Sequence, residues 1–192
     1  SESKLHRFDP AVNQWCSYAY AGAGYSYYLL ADGDVFWSLN WFSEHIVRFD
    51  PGAMSIKRWS MSEPVVEPYA MAMDQDGLLW WSDRSNRLYS LDPASDTQRV
   101  YVLPQGTGSI VQRVETSAGL VWYAESVSGT LGALDPVVAA GITTTLAASA
   151  GPAAESCVTI TPEPDVLVSK ASGELAWSDM PVTTIHDADG WL

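Results

Sequence analysis

Residues 75–93 read QDGLLWWSDRSNRLYSLDP. Asp76-Gly77 is tight-turn chemistry, since glycine enters positive φ without steric cost. The LLWW run after it and the RLYSL further on are rich in the aliphatic and aromatic side chains that favour strands. Asp92-Pro93 closes the phrase, because proline has no amide to donate to a ladder. The stretch therefore reads as turn, strand, turn, strand, turn. Its ending recurs as LHRFDP, IVRFDP, LYSLDP and LGALDP, with Asp9, Asp50, Asp92 and Asp135 separated by 41, 42 and 43 residues. A fifth ending, TTIHDA, puts Asp187 52 residues after Asp135 without the proline. The turn glycine recurs as well: Gly33 before DVFW, Gly77 before LLWW, Gly119 before LVWY and Gly173 before ELAW.

One unit holds four strand-like runs, at 69–73, 78–82, 87–91 and 98–103. Four short strands every ~40 to 45 residues is the pattern of a β-propeller blade. The expected fold is all-β: a β-propeller of four blades plus an N-terminal outer half-blade. Residues 1–20 are that half-blade, 21–62, 63–104 and 105–147 are blades, and 148–192 is a last blade without its fourth strand. From Asp-Pro to the next turn glycine takes 23 to 26 residues in the early units, but 37 from Pro136 to Gly173. The surplus reads as an inserted loop around AASAGPAAES. Open blade faces at the two ends, one carrying Phe8, Trp15 and Tyr18, would be covered by further blades of a larger ring, by self-association, or by closure of the half-blade on the last blade.

Ten basic residues against 23 acidic ones give a net charge of −13, which disfavours nucleic acid and anionic membranes as partners. No apolar run approaches the roughly 20 residues of a membrane helix. Cys16 falls on an outermost strand and Cys157 near the start of an inner one, so no disulfide is expected between them. Three lysines against seven arginines, with abundant Ala, Ser, Thr and Val, agree with an extracellular or surface location. Trp37, Trp80, Trp81, Trp122, Tyr123 and Trp177 fall in second strands, where side chains pack between adjacent blades. Trp41-Phe42 falls in a loop and is the best exposed aromatic pair.

QDGLLWWSD with RLYSLDP, AGLVWYAE with TLGALDP, and SGELAWSD with VTTIHDA resemble the repeat of the virginiamycin B lyase (streptogramin lyase) propellers. The resemblance covers most of the chain and is poor from 137 to 165. It implies metal-assisted ring opening at the channel mouth, by a histidine starting an innermost strand and a glutamate fourteen residues later. That spacing gives Tyr25 with Leu39, Tyr69 with Asp83, Val111 with Glu125 and Asp165 with Asp179. The carboxylate is kept three times and the histidine never, since His6, His45 and His186 all fall in third strands. A phenol, with a pKa near 10, is a poor general base at neutral pH.

The expectation is therefore a non-enzymatic binding or assembly module with no catalytic residues, whose partner is a small molecule, a glycan or a protein. The alternative is a lyase-type enzyme whose catalytic histidine lies on a further blade. Candidate ligand-binding residues are Tyr25, Trp41, Phe42, Tyr69, Asp83, Arg113, Glu125 and Asp179. Asp83 and Glu125 are also candidate ligands for magnesium or calcium. Against that stands a structural role for the carboxylates, satisfying turn donors or pairing with Arg84, Arg87 or Arg113.

Overall fold

The computed structural model describes residues 3–20, 26–41, 45–61, 67–104, 110–139, 141–145 and 148–159. The described residues form four antiparallel sheets and no helix. β1 (Ser3–Asp9) and β2 (Gln14–Tyr20) begin the first sheet. The second follows chain order through β3 (Ser26–Asp32), β4 (Val35–Asn40), β5 (His45–Asp50) and β6 (Ser55–Ser60). The third does the same through β7 (Met71–Met73), β8 (Leu79–Ser82), β9 (Arg87–Asp92) and β10 (Thr97–Val102). The fourth holds β11 (Val111–Ser117), β12 (Leu120–Glu125) and β13 (Leu131–Leu134).

The chain then runs back along the outer edges. β14 (Ile142–Thr145) pairs with β10, Thr145 opposite Thr97, instead of extending the fourth sheet from β13. β15 (Ala148–Pro152) pairs with β6, Ala148 opposite Trp59, so the stretch read as an inserted loop is largely an edge strand. β16 (Ala154–Thr159) lies next to β2. Each addition occupies an edge that would otherwise offer unpaired amides and carbonyls. The β-branched run ITTT suits a strand, and Pro152 sits opposite Ser55 at the end of an edge strand, where a missing amide is tolerated. This return path also overturns the expectation for the cysteines. Cys157 lies on β16 rather than on an inner strand, and both cysteines are disulfide-bonded, the chain having no others.

Contacts divide the chain into two units, of which the smaller is described at residues 8–15 and 157–159. In it Phe8 and Trp15 stack at 4.7 Å between ring centroids. The larger unit buries three cores, each between consecutive sheets. Tyr18, Val47, Phe49 and Ile56 form the first, so Tyr18 is not an exposed end residue. Trp37, Leu39, Trp59, Met71, Trp81 and Tyr89 anchor the second, and Trp80, Leu88, Tyr101, Val114 and Tyr123 anchor the third. Successive strand residues point to opposite faces, so Trp81 enters one core and Trp80 the next. A strand buried on both faces has no polar alternation, which is why LLWW is continuous. Trp122 departs from its expected place between blades. It lies on the other face of β12 from the buried Val121 and Tyr123, and is 38% exposed.

The Asp-Pro landmark has a local cause. Asp9, Asp92 and Asp135 each accept the amide two residues on, at 2.9 Å, reaching over a proline that has none to give. The fourth residue after the aspartate has positive φ in the first three turns: Asn13 at 49°, Met54 at 48° and Asp96 at 57°. Asp96 also ties two sheets together. Its Oδ1 accepts hydrogen bonds from Lys57 Nζ and from the buried Trp59 Nε1, both at 2.7 Å.

Candidate functional site

β3 and β11 each begin with a bulge, which moves the register between Ser26 and Tyr28 and between Val111 and Arg113. Regular alternation would send adjacent side chains to opposite faces, whereas a bulge sets two residues against one and re-aims them. Tyr27 with Tyr28, and Gln112 with Arg113, accordingly line one open cavity of about 420 Å³ together with Tyr69. Tyr69 stands just before β7, held by its amide bonding to Ser82 O at 2.8 Å.

The described cavity wall is an aromatic cluster beside Arg113. Tyr27 packs against Tyr69 at 4.9 Å and against Trp41 at 5.0 Å between ring centroids. A hydrogen bond with Tyr69 is the main cause holding the Tyr27 phenol above its ordinary pKa, and Arg84 acts on it in the opposite direction. Arg113 Nη1 donates to Tyr28 OH at 3.1 Å. Of the five lining residues only Arg113 is charged.

Three buried polar residues stand at the ends of the second strands. Ser26 pairs with Asn40 and Val111 with Glu125, while Asp83 follows Ser82 at the end of β8. Asp83 is filled by protein donors: Tyr89 OH at 2.6 Å, the Ser85 amide at 3.0 Å and the Ser85 hydroxyl. Burial is the first cause raising the Tyr89 phenol, and the Asp83 carboxylate is the next. Glu125 Oε2 accepts from Ser128 Oγ at 2.6 Å, and its Oε1 has no partner. Asn40 Oδ1 accepts from Ser38 Oγ at 3.2 Å, and its Nδ2 has none. Arg84 pairs with Glu67 at 2.6 Å.

Among the expected residues, Tyr69 and Arg113 meet at the cavity and Trp41 packs on its wall. Asp83 and Glu125 are buried, at 0% and 4% exposure. Tyr25, Phe42 and Asp179 lie outside the described residues. Sequence reasoning missed Tyr27, Tyr28, Gln112 and Asn40. Three tyrosines within GYSYYLL were a usable signal for the first two.

No protein-family model and no curated protein matches this sequence. Among solved structures, the chain is similar to the extracellular domain of a hybrid two-component system from B. thetaiotaomicron, with a TM-score of 0.50 and 12% identity. The likeness covers 77% of this chain and only 26% of that one. At that identity it is a likeness of fold alone, and with four antiparallel sheets packed face to face the fold is β-propeller-like.

Proposed function

We propose that this chain is a non-enzymatic binding module whose ligand sits in the cavity lined by Tyr27, Tyr28, Tyr69, Gln112 and Arg113. In this reading the four sheets are a half-blade and blades of a larger propeller ring, with 142–159 returning along their outer edges. The observation that carries the function is the convergence of four bulge-positioned side chains and Tyr69 on one cavity. Phenols offer ring faces together with hydroxyls that both donate and accept, at little entropic cost, which suits a hydroxylated ligand. Among the described residues, no histidine or carboxylate lines the cavity. A disulfide persists in oxidising compartments, which supports an extracellular location, as does the extracellular origin of the similar structure. No helix among the described residues is long and apolar enough to cross a membrane.

Fluorescence titration of the whole chain against saccharides, small metabolites and peptides tests this reading. Binding should be weakened at least tenfold by Tyr27→Ala or Tyr69→Ala. Binding that ignores both substitutions, or no ligand from any class, would refute it. The lyase-type alternative has one specific support, the direct pairing of Val111 with Glu125 that reproduces the fourteen-residue geometry. Magnesium-dependent opening of a cyclic lactone, abolished by Glu125→Gln, would favour it.

A further inference from the structure

We propose that the cavity selects a saccharide carrying a carboxylate, a uronic acid unit, with Arg113 as the residue that reads the charge. The inference rests on the binding-module reading and names its ligand class. Arg113 is exposed and bonds to a neutral phenol, Tyr28 OH, rather than to an acid. Three other described cations are matched to acids: Arg84 to Glu67, Lys57 to Asp96 and Arg48 to Asp50. With Nη1 turned to Tyr28, the rest of the guanidinium fork remains to meet a carboxylate, the planar partner for which arginine geometry is suited.

Three of the described acids are engaged elsewhere. Glu67 is taken by Arg84, and Asp83 and Glu125 are buried against their own hydroxyl donors. Arg84 is close enough to act on the Tyr27 phenol, so a second cation flanks the aromatic wall. Three tyrosines give ring faces for a sugar ring, and Gln112 adds an amide for its hydroxyls. A cavity near 420 Å³ stands toward the small end of the roughly 300–1,000 Å³ typical of ligand sites, room for a short saccharide segment. The net charge of −13 decides between anions. A phosphorylated sugar, whose phosphate carries close to two charges, is repelled more strongly at long range than a sugar with one carboxylate in the same place.

Calorimetric titration of the whole chain would compare oligogalacturonate and oligoglucuronate with the neutral galactose and glucose oligomers of the same length, and with a galactose oligomer phosphorylated at the same positions. One uronate should bind at least tenfold more tightly than its neutral counterpart. Arg113→Gln should bring the two within about twofold by weakening uronate binding more than neutral binding; the residue is exposed, and circular dichroism checks that the variant folds. Equal affinity for acid and neutral sugars, or tighter binding of the phosphorylated one, would overturn this assignment and leave the binding module standing. No saccharide binding at all would overturn the assignment, and with no binding of metabolites or peptides either, the binding module as well.

Discussion

Replacing Asp96 should loosen the second and third sheets, and the structure sets how much. In Asp96→Ala two partners are lost from one oxygen. The Lys57 pair is about one-third exposed on both sides, so in solvent it contributes at most about 1 kcal/mol. Trp59 is the larger loss. It is fully buried, and an indole N–H left without an acceptor costs about 1–3 kcal/mol. Alanine also tolerates the 57° φ less well than aspartate. The sum is about 1–4 kcal/mol, or roughly 2–16 °C in melting temperature for a chain of this size. Asp96→Asn keeps an oxygen for Trp59 and should cost under about 1 kcal/mol. Hydrogen bonds from Lys57 and then Trp59 hold the Asp96 carboxyl below its ordinary pKa. The stability it contributes is therefore present above the unfolded value near 3.9 and is lost as pH falls through the lower folded value. Urea and thermal melts of both variants, at neutral pH and in acid, measure all of this. An Asp96→Ala variant within 0.5 kcal/mol of wild type (roughly the noise of a surface substitution), or an Asn variant as damaged as the Ala one, would refute the reasoning.

The packing makes further demands. A Cβ at Gly132 would fall inside the Tyr123 ring, so Gly132→Ala should cost about 1–3 kcal/mol in a thermal melt. Tyr89→Phe removes the 2.6 Å donor to the fully buried Asp83 and should cost a similar ~1–3 kcal/mol by urea titration. If Asp83 and Glu125 share a cation, calcium or magnesium should raise the melting temperature of wild type and not of Asp83→Asn. Melting curves unchanged by chelator would exclude that role.

The repeat was legible because its landmarks are local. Asp-Pro with an amide bonded two residues on is a turn that needs no tertiary contact, and a turn glycine has the same independence. The return strands were not legible for the opposite reason. ITTT and ASAGP carry strand propensity or smallness but no partner, and what they pair with depends on edges formed roughly forty to a hundred residues earlier. Counting along the chain could only call that surplus a loop. The cysteines follow: once β16 is set beside β2 instead of starting an inner strand, the bond between them has a route.

The site was half legible, and the missing half comes from single-residue geometry. In the first hairpin Asp32 pairs with Val35, so Gly33, at φ 56°, is the first of two turn residues. In the third, Ser117 pairs with Leu120, and Ala118 precedes Gly119 with both at positive φ. These are the patterns of II′ and I′ turns, which place the glycine at different positions. Counting from glycine therefore slips by one, landing on Leu39 where the register has Asn40 opposite Ser26. The bulges compound this, because one extra residue turns a neighbour that alternation would hide toward the cavity. Tyr69 and Arg113 were found by composition and spacing, but Tyr27, Tyr28 and Gln112 owe their place to that extra residue. A ligand site built at strand starts is set by turn type and bulge, both of which move side chains by one position while leaving the hydrophobic pattern intact.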